Sequence, residues 1–277
     1  MGDGGDRRKK KGHADVPCWW LPLIAAGLVT AVQGLRLRRA WLRATRLAAG
    51  AAPVEQHPAR VAVRVLLVGD STGLGVGAAA AGETLAGLLA ADYPSAQVTN
   101  LCRCGDTLGD MPEQLRSAEL DAVARNGSGP ISPPFFDLVL LLAGGNDVFR
   151  HTPPDTLRRS AAALMHLLRR TGRHVIWLGP ANIGHAPVFL PPVSWWFAWR
   201  SRKAVHTFAA AAQQHGVDFI DFCWDRAEDL FAARPDRYFA NDQVHPSGSA
   251  YRVCYDMLRR RPHLGQAMLG AANRQAR

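Results

Sequence analysis

From residue 61 onward, short apolar runs alternate with longer stretches that mix polar and apolar residues. The runs are apolar at nearly every position, which is typical of strands buried on both faces of a parallel sheet. They predict five strands at 61–68, 97–101, 137–142, 174–178 and 217–220. The remaining stretches predict helices at 80–93, 112–125, 154–171, 197–215 and 246–260, and a Gly/Ser/Pro loop at 127–134. Alternating strands and helices indicate an α/β fold, a three-layer α/β/α sandwich around a parallel sheet.

The first 60 residues follow a different pattern. A basic run at 7–11 precedes an almost uncharged apolar stretch at 16–34. A cleaved signal peptide is disfavoured, because no small-x-small cleavage site follows the stretch and arginines follow it directly. Three interpretations stay open: a membrane-spanning helix, for which the stretch is just long enough, a helix on the membrane surface, and a helix packed on the domain. The membrane-surface interpretation is supported by Arg36, Arg39, Arg43 and Arg46, which share one side of a helical wheel.

We expect residues 1–48 to form a membrane anchor with a surface-lying basic helix, and residues 49–60 to form a linker. Residues 61–277 would then form one folded domain. Positive charge flanks the apolar stretch on both sides, so the pattern does not reveal the orientation of the anchor. The expected location is the inner membrane of a bacterium, with the domain on the cytoplasmic side favoured.

The composition and charge exclude several classes of protein. With 277 residues, 48% hydrophobic and 20% charged, the chain has an ordinary globular composition. Of the net charge of +10, residues 1–60 contribute +7, from 11 Lys/Arg against 4 Asp/Glu. The body is therefore nearly neutral, and we expect no nucleic-acid partner. Five scattered cysteines are too few for a disulfide scaffold.

Four polar blocks lie where the predicted strands end or the last helix begins. They read G-D-S-T at 69–72, C-G-D at 104–106, G-G-N-D at 144–147 and D-Q-V-H-P at 242–246. In open parallel sheets, ligands bind beyond the carboxyl ends of the strands. We therefore expect the four blocks to converge on one edge of the sheet and to form a site there.

The residue types in these blocks fit the hydrolysis of an ester, which needs a nucleophile, a base, a group that orients the base, and donors for the oxyanion. Ser71 is the candidate nucleophile, His245 the base and Asp242 its orienting carboxylate. The three-residue step from Asp242 to His245 lets a single turn present both side chains. The backbone N–H groups of Ser71 and Gly105, with the Asn146 amide, are the candidate oxyanion hole.

Taken together, the four blocks resemble the SGNH/GDSL hydrolase family, in its bacterial G-D-S-T branch, over residues 64–262. The resemblance implies a flavodoxin-like sheet of five parallel strands and a serine hydrolase that needs neither metal nor cofactor. It assigns the nucleophile to Ser71, the oxyanion donors to Gly105 and Asn146, and the base to His245 assisted by Asp242. The family often has a leucine or isoleucine where Thr72 stands, a difference that bears on substrate preference.

The expected function is therefore the hydrolysis of a small-molecule or lipid ester, as in an esterase or lysophospholipase. Two alternatives stay open: an acyltransferase or deacetylase that uses the same site, and a membrane-tethered binding module whose site is silent. A dinucleotide-binding protein is disfavoured, because the G-x-G-x-x-A match at 75–80 begins six residues after Gly69. The end of the second predicted strand also lacks the acidic residue that would bind the ribose.

Several other residues in or near the blocks have simpler explanations. Asp70 and Asp147 are expected to stabilise their loops. Cys102 and Cys104 have no second Cys/His pair at zinc spacing nearby and are expected to be reduced thiols. The aromatic segment at 188–199 fits three roles: an acyl pocket, a contact with lipid, or a helix start packed on the core.

Overall fold

The computed structural model describes residues 21–125 and 135–275. The predicted basic run at 7–11 and the predicted loop at 127–134 lie outside these residues. Five strands form one parallel sheet in the order β2-β1-β3-β4-β5. Their bounds are β1 Val63–Gly69, β2 Ala96–Asn100, β3 Phe136–Leu142, β4 Gly172–Leu178 and β5 Asp218–Ile220. The sheet confirms the predicted fold class.

Eleven α-helices lie in the described residues: α1 Leu21–Gly50, α2 Ser71–Leu74, α3 Leu85–Asp92, α4 Met111–Arg125, α5 Gly145–Phe149, α6 Pro154–Thr171, α7 Val193–Gln214, α8 Leu230–Ala233, α9 Pro235–Tyr238, α10 Gly248–Arg259 and α11 Pro262–Gln275. Two short 3₁₀ helices, Ala81–Glu83 and Ile183–His185, complete the set. The structure therefore has three layers, with helices on both faces of the sheet.

Two hydrophobic clusters, one on each face, hold the helices against the sheet. On one face, alternate strand residues such as Leu66 and Leu141 pack against α4, α6 and α7. On the other face, their neighbours Leu67 and Leu140 pack against α3, α10 and α11. Because successive strand side chains point to opposite faces, each central strand is apolar at nearly every position, with Arg64 and Asp137 as exceptions near the strand starts. This is why the strands were visible in the sequence.

One helix departs clearly from its prediction. The stretch at 80–93 is not a single helix but a 3₁₀ turn followed by α3, with Thr84 between them. The Thr84 hydroxyl accepts a hydrogen bond from the Gly87 N–H at 3.0 Å and so caps the start of α3. A side chain that satisfies a free backbone donor in this way favours a new helix start over a continuous helix. By contrast, α6 has the bounds that the sequence predicted.

The N-terminal stretch forms the long helix α1, Leu21–Gly50. None of the helices in the described part of the chain is long and apolar enough to cross a membrane. Residues 16–20 of the predicted apolar stretch lie outside the described residues. The second half of α1 packs on the domain, where Ala40 is buried in the cluster that contains α4, α6 and α7.

Candidate active site

Ser71 stands where the chain leaves the sheet. Strand β1 ends at Gly69, and Asp70 caps α2 by accepting a hydrogen bond from the Thr72 N–H at 2.9 Å. Ser71 is therefore the first residue of a four-residue helix at the carboxyl edge of the sheet. The helix ends at once because Gly75 adopts a left-handed conformation with φ of +91°. The tight turn keeps the serine at the mouth of a cavity.

His245 and Asp242 lie on the loop between α9 and α10. The Ser71 Oγ is 3.0 Å from the His245 Nε2, and the His245 Nδ1 is 2.5 Å from the Asp242 Oδ2. These distances join the three side chains in one hydrogen-bonded chain, although Ser71 and His245 are 174 residues apart in sequence. The structure thus brings the predicted nucleophile, base and orienting carboxylate together in that order.

The second oxygen of Asp242 shapes the loop itself. Its Oδ1 accepts hydrogen bonds from the N–H groups of Val244, at 2.9 Å, and of His245, at 3.0 Å. The tight turn also requires Gln243 to adopt a left-handed backbone, with φ of +62°. A hydrogen bond from the Ala240 N–H to the His245 carbonyl closes the turn at 2.9 Å. The same carboxylate therefore sets the position of the histidine backbone and of its ring.

The charge of Asp242 is maintained although its side chain is fully buried. Burial raises the pKa of this carboxyl, but the hydrogen bonds and charge of His245 outweigh burial and hold the pKa below its ordinary value. The carboxylate is therefore ionised at neutral pH. An ionised acceptor at the Nδ1 fixes the tautomer in which the Nε2 is free to accept a proton from Ser71.

The three predicted oxyanion donors belong to three separate segments at the same sheet edge. Within the described residues, the N–H groups of Ser71 and Gly105 donate no hydrogen bond to another backbone group. Gly105 has φ of +88°, a conformation that a residue with a side chain rarely adopts. The Asn146 Nδ2 donates one hydrogen bond to the Asp106 carbonyl at 2.9 Å, which ties α5 to the Gly105 loop. Its second N–H is available to a ligand.

Gln114 on α4 is a site residue that the sequence analysis missed. Its amide pairs with both backbone groups of Gly69, N–H to Oε1 and Nε2 to carbonyl, each at 2.9 Å. The Nε2 also donates to the Asp106 Oδ2 at 2.8 Å. Gln114 is fully buried and so connects the Ser71 turn with the Gly105 loop. A glutamine between Met111 and Leu115 on the apolar face of a predicted helix was the available signal.

The neighbouring acids have structural positions. Asp147 accepts hydrogen bonds from the Leu108 N–H and the Thr152 hydroxyl, both at 3.0 Å, and burial raises its pKa. Asp70 caps α2, and burial raises its pKa to about 6, although its bonds to Thr72 oppose the shift. Both arrangements agree with the expected loop-stabilising roles.

An open cavity of about 1220 Å³, including solvent at its mouth, adjoins Ser71 and His245. Its walls are mostly apolar. Among the lining residues are Leu85, Phe149, Ala186, Phe231, Tyr238 and Phe239. An apolar cavity beside a hydrogen-bonded serine suits the hydrocarbon part of an ester.

The segment at 188–199 has a buried part and an exposed part. Val188 and Phe189 are buried, and Phe197 packs against Phe149 and Phe189, so this part is a core contact at the start of α7. In contrast, the side chains of Trp195, Trp196 and Trp199 are exposed.

The two cysteines of the second block follow β2. Cys102 is buried and Cys104 is exposed, and both are free thiols.

Helix α1 contacts two loops that border the cavity. The buried Gln33 pairs with segment 187–190, donating to the Val188 carbonyl at 3.1 Å and accepting from the Leu190 N–H at 2.7 Å. Arg36 donates to the carbonyls of Pro187 and Val188. These contacts place a helix that was expected to lie on a membrane directly against the domain.

Two arginines of the predicted basic face also contact the loop that carries His245. Arg36 lies 3.5 Å from the Gln243 Oε1, and Arg43 donates to the Asn241 carbonyl at 2.8 Å. Two of the four arginines that were predicted to share one side of the helix therefore bond to the domain. Their partners are loop carbonyls more than 150 residues away, which no helical wheel can show.

Comparisons with known proteins agree with this geometry. A family model described as the GDSL-like lipase/acylhydrolase family matches residues 67–253. No curated protein matches the chain significantly. Among solved structures, a lipolytic G-D-S-L family protein from Veillonella parvula matches at 19% identity with a TM-score of 0.53, covering 70% of this chain and 94% of that one.

Two further solved structures are similar. A lipase/acylhydrolase from Enterococcus faecalis matches at 20% identity with a TM-score of 0.52, covering 72% of this chain and 94% of that one. A mutant acetylxylan esterase from Geobacillus stearothermophilus matches at 20% identity with a TM-score of 0.51, covering 73% and 95%. At these identities, the structural similarity shows a shared fold.

Proposed function

Because the chain belongs to the GDSL-like lipase/acylhydrolase family and is an SGNH-type ester hydrolase, we propose that it cleaves carboxylic esters through an acyl-enzyme on Ser71. The observation that carries the proposal is the hydrogen-bonded chain from the Ser71 Oγ through His245 to the buried Asp242. A serine hydroxyl is a weak nucleophile until a base takes its proton. Here the base lies at 3.0 Å and is oriented by an ionised acid.

In the first half of the reaction, the Ser71 Oγ attacks the ester carbonyl carbon and its proton passes to the His245 Nε2. The carbonyl oxygen becomes an oxyanion, which accepts hydrogen bonds from the Ser71 and Gly105 N–H groups and the Asn146 amide. The bond to the leaving alcohol then breaks, and His245 returns the proton to the departing oxygen. An acyl group remains on Ser71.

In the second half, a water molecule attacks the acyl carbon while the His245 Nε2 accepts its proton. The second tetrahedral oxyanion forms in the same place, and its collapse releases the carboxylic acid and restores the Ser71 hydroxyl. Asp242 stays ionised throughout and stabilises the imidazolium that forms twice in each cycle. This scheme needs only groups of the described site and water.

The cavity suggests which esters fit. Because its walls are mostly apolar, we propose an acyl ester with a hydrocarbon chain longer than acetyl, such as that of a lysophospholipid. A series of p-nitrophenyl esters of increasing chain length tests this. We expect kcat/KM to rise from acetate to a medium-length chain, and a steady fall from acetate onward would contradict the proposed preference.

Labelling with a fluorophosphonate tests the nucleophile directly. We expect the fluorophosphonate to label the wild-type chain and to stop its hydrolysis of esters. The Ser71→Ala variant should be neither labelled nor active. Ser117→Ala is a matched control, because Ser117 only donates to the Glu113 carbonyl on α4. An unlabelled but folded wild-type protein would favour the silent binding module instead. A wild-type protein that is labelled and transfers the acyl group to an added alcohol, but does not hydrolyse the ester, would favour the acyltransferase.

A further inference from the structure

We propose that α1 docks this enzyme on a lipid bilayer that contains anionic lipids, with its first turns inserted beside the mouth of the cavity. The inference concerns where the enzyme works and does not depend on the reaction at Ser71. Three observations support it: an exposed apolar half-helix, exposed basic residues directly after it, and rigid attachment of the same helix next to the cavity.

The first half of α1 is apolar, and apart from the buried Gln33 its described side chains are exposed. Residues 21–35 contain no charged side chain. Ile24, Leu28, Val29 and Val32 are exposed, and they lie on more than one side of the helix. A soluble surface helix normally exposes a polar face and buries its apolar one. Four exposed apolar side chains within nine residues therefore indicate a surface that contacts a membrane or another protein.

The exposed arginines of α1 favour an anionic membrane as the partner of this apolar surface. Directly after the apolar half, Arg38, Arg39 and Arg46 are exposed and form no hydrogen bond or ion pair with the described residues. Apolar residues followed by a cluster of exposed arginines complement a bilayer whose headgroups are negative.

Beyond these three observations, the start of α7 adds an exposed aromatic patch close to the attachment of α1. Gln33 is hydrogen bonded to Leu190, three residues before α7 begins. Trp196 and Trp199 are exposed, and each has a cation over its ring, Arg200 at 5.5 Å and Lys203 at 4.6 Å. Tryptophan beside a basic residue is favoured at the interface between water and lipid, because the ring is apolar and the cation meets the headgroups.

The attachment of α1 determines what docking would do. Through Gln33, Arg36 and Arg43, the helix is hydrogen bonded to segment 187–190 and to the loop that carries His245. Both segments adjoin residues that line the cavity. A bilayer that holds the first turns of α1 therefore lies near the cavity mouth, where an acyl lipid can reach Ser71 without crossing bulk water.

Co-sedimentation of the full chain with vesicles tests the proposal. We expect binding to vesicles of phosphatidylcholine mixed with phosphatidylglycerol, weaker binding to phosphatidylcholine alone, and release from the mixed vesicles at high salt. The double variant Leu28→Glu/Val32→Glu places two charges on one side of the free half-helix. It should weaken the vesicle partition coefficient by about tenfold or more.

Leu269→Glu is the matched control. Leu269 on α11 is 69% exposed and Leu28 is 62% exposed, so the control, like the Leu28→Glu half of the double variant, places a charge at an exposed leucine of a helix. We expect the control to bind vesicles like wild type. All variants should hydrolyse a soluble ester at the wild-type rate, which separates this test from that of the proposed reaction.

Three outcomes would overturn the proposal. The first is a wild-type chain that ignores both kinds of vesicle. The second is a double variant that binds as tightly as wild type, or a control that loses binding equally. The third is a wild-type dimer that becomes a monomer in the double variant while neither protein binds vesicles, since the occupant of the apolar half-helix would then be a second copy of the chain.

Discussion

Asp242→Asn separates the two functions of the Asp242 carboxylate. The Asn side-chain oxygen can still accept the N–H groups of Val244 and His245, so the turn keeps its shape. The amide nitrogen, however, replaces the Oδ2 that lies 2.5 Å from the His245 Nδ1. An amide N–H is a donor, so the Nδ1 must become the acceptor and the proton moves to the Nε2. A protonated Nε2 faces the Ser71 hydroxyl and cannot take its proton.

We expect this change to lower kcat by about 10⁴-fold, the loss found when a triad carboxylate becomes an amide in a serine protease. That factor corresponds to about 5.5 kcal/mol of transition-state free energy. KM should change little, because Asp242 is fully buried and the proposed contacts of the ester's hydrocarbon part are with the apolar cavity walls. The assay is steady-state hydrolysis of a p-nitrophenyl ester, with the melting temperature measured in parallel.

The chain provides its own control in a second buried histidine–aspartate pair. The His185 Nδ1 lies 2.5 Å from the Asp229 Oδ2, and the Asp229 Oδ1 accepts two backbone N–H groups at the start of α8. This pair has the local geometry of the Asp242 pair, but Ser71 is bonded to His245. Asp229→Asn should therefore leave kcat within a few-fold of wild type. A folded Asp242→Asn variant with wild-type kcat, or equal losses in both variants, would refute the tautomer argument.

Three further predictions follow from single contacts. Asn146→Ala should lower kcat by about 10²–10³-fold with little change in melting temperature, and a loss below threefold would exclude Asn146 as an oxyanion donor. Asp70→Asn should remove one pH-dependent contribution to stability: because burial raises the folded pKa of Asp70 to about 6, above its unfolded value, the contribution of Asp70 to wild-type stability falls as pH rises from about 4 to 7. In urea unfolding, the free energy of unfolding of Asp70→Asn should rise by about 2–3 kcal/mol relative to that of wild type between pH 4 and pH 8. A difference between the two proteins that does not change with pH would contradict the raised pKa of Asp70. Arg43→Ala should lower kcat about threefold to tenfold by releasing the Asn241 carbonyl beside Asp242, whereas Arg46→Ala on the same helix should not, and equal effects would contradict a positioning role.

The layers of the fold and most of the polar groups that meet at the candidate site were predictable from the sequence. Buried parallel strands are apolar on both faces, so β3 and the other strands appeared as apolar runs within about two residues of their observed bounds. Parallel strands end at a common edge, so the blocks that contain Ser71, Gly105 and Asn146 could be assigned to one site from their order alone. The Asp242–His245 pair was predictable because its partners lie three residues apart.

Short helices and polar contacts inside the site were not predictable to the same extent. Helices α2 and α5 contain four and five residues, too few for a helical period to show. The break at Thr84 depends on one hydroxyl that bonds the Gly87 N–H. The position of Gln114 on an apolar helix face indicated a buried amide but not its partner, because Gly69 lies 45 residues away.

The sequence by itself determined which residues are apolar, where charge collects and which chemical groups follow each strand. Only the tertiary structure decided that Arg36 and Arg43 bond loop carbonyls beside the site, while the neighbouring Arg46 points to solvent. The pattern along one helix gives the direction of each side chain around the helix axis, but not which segment packs against that side chain. That depends on how two segments more than 150 residues apart pack together, and packing is a property of the whole folded chain.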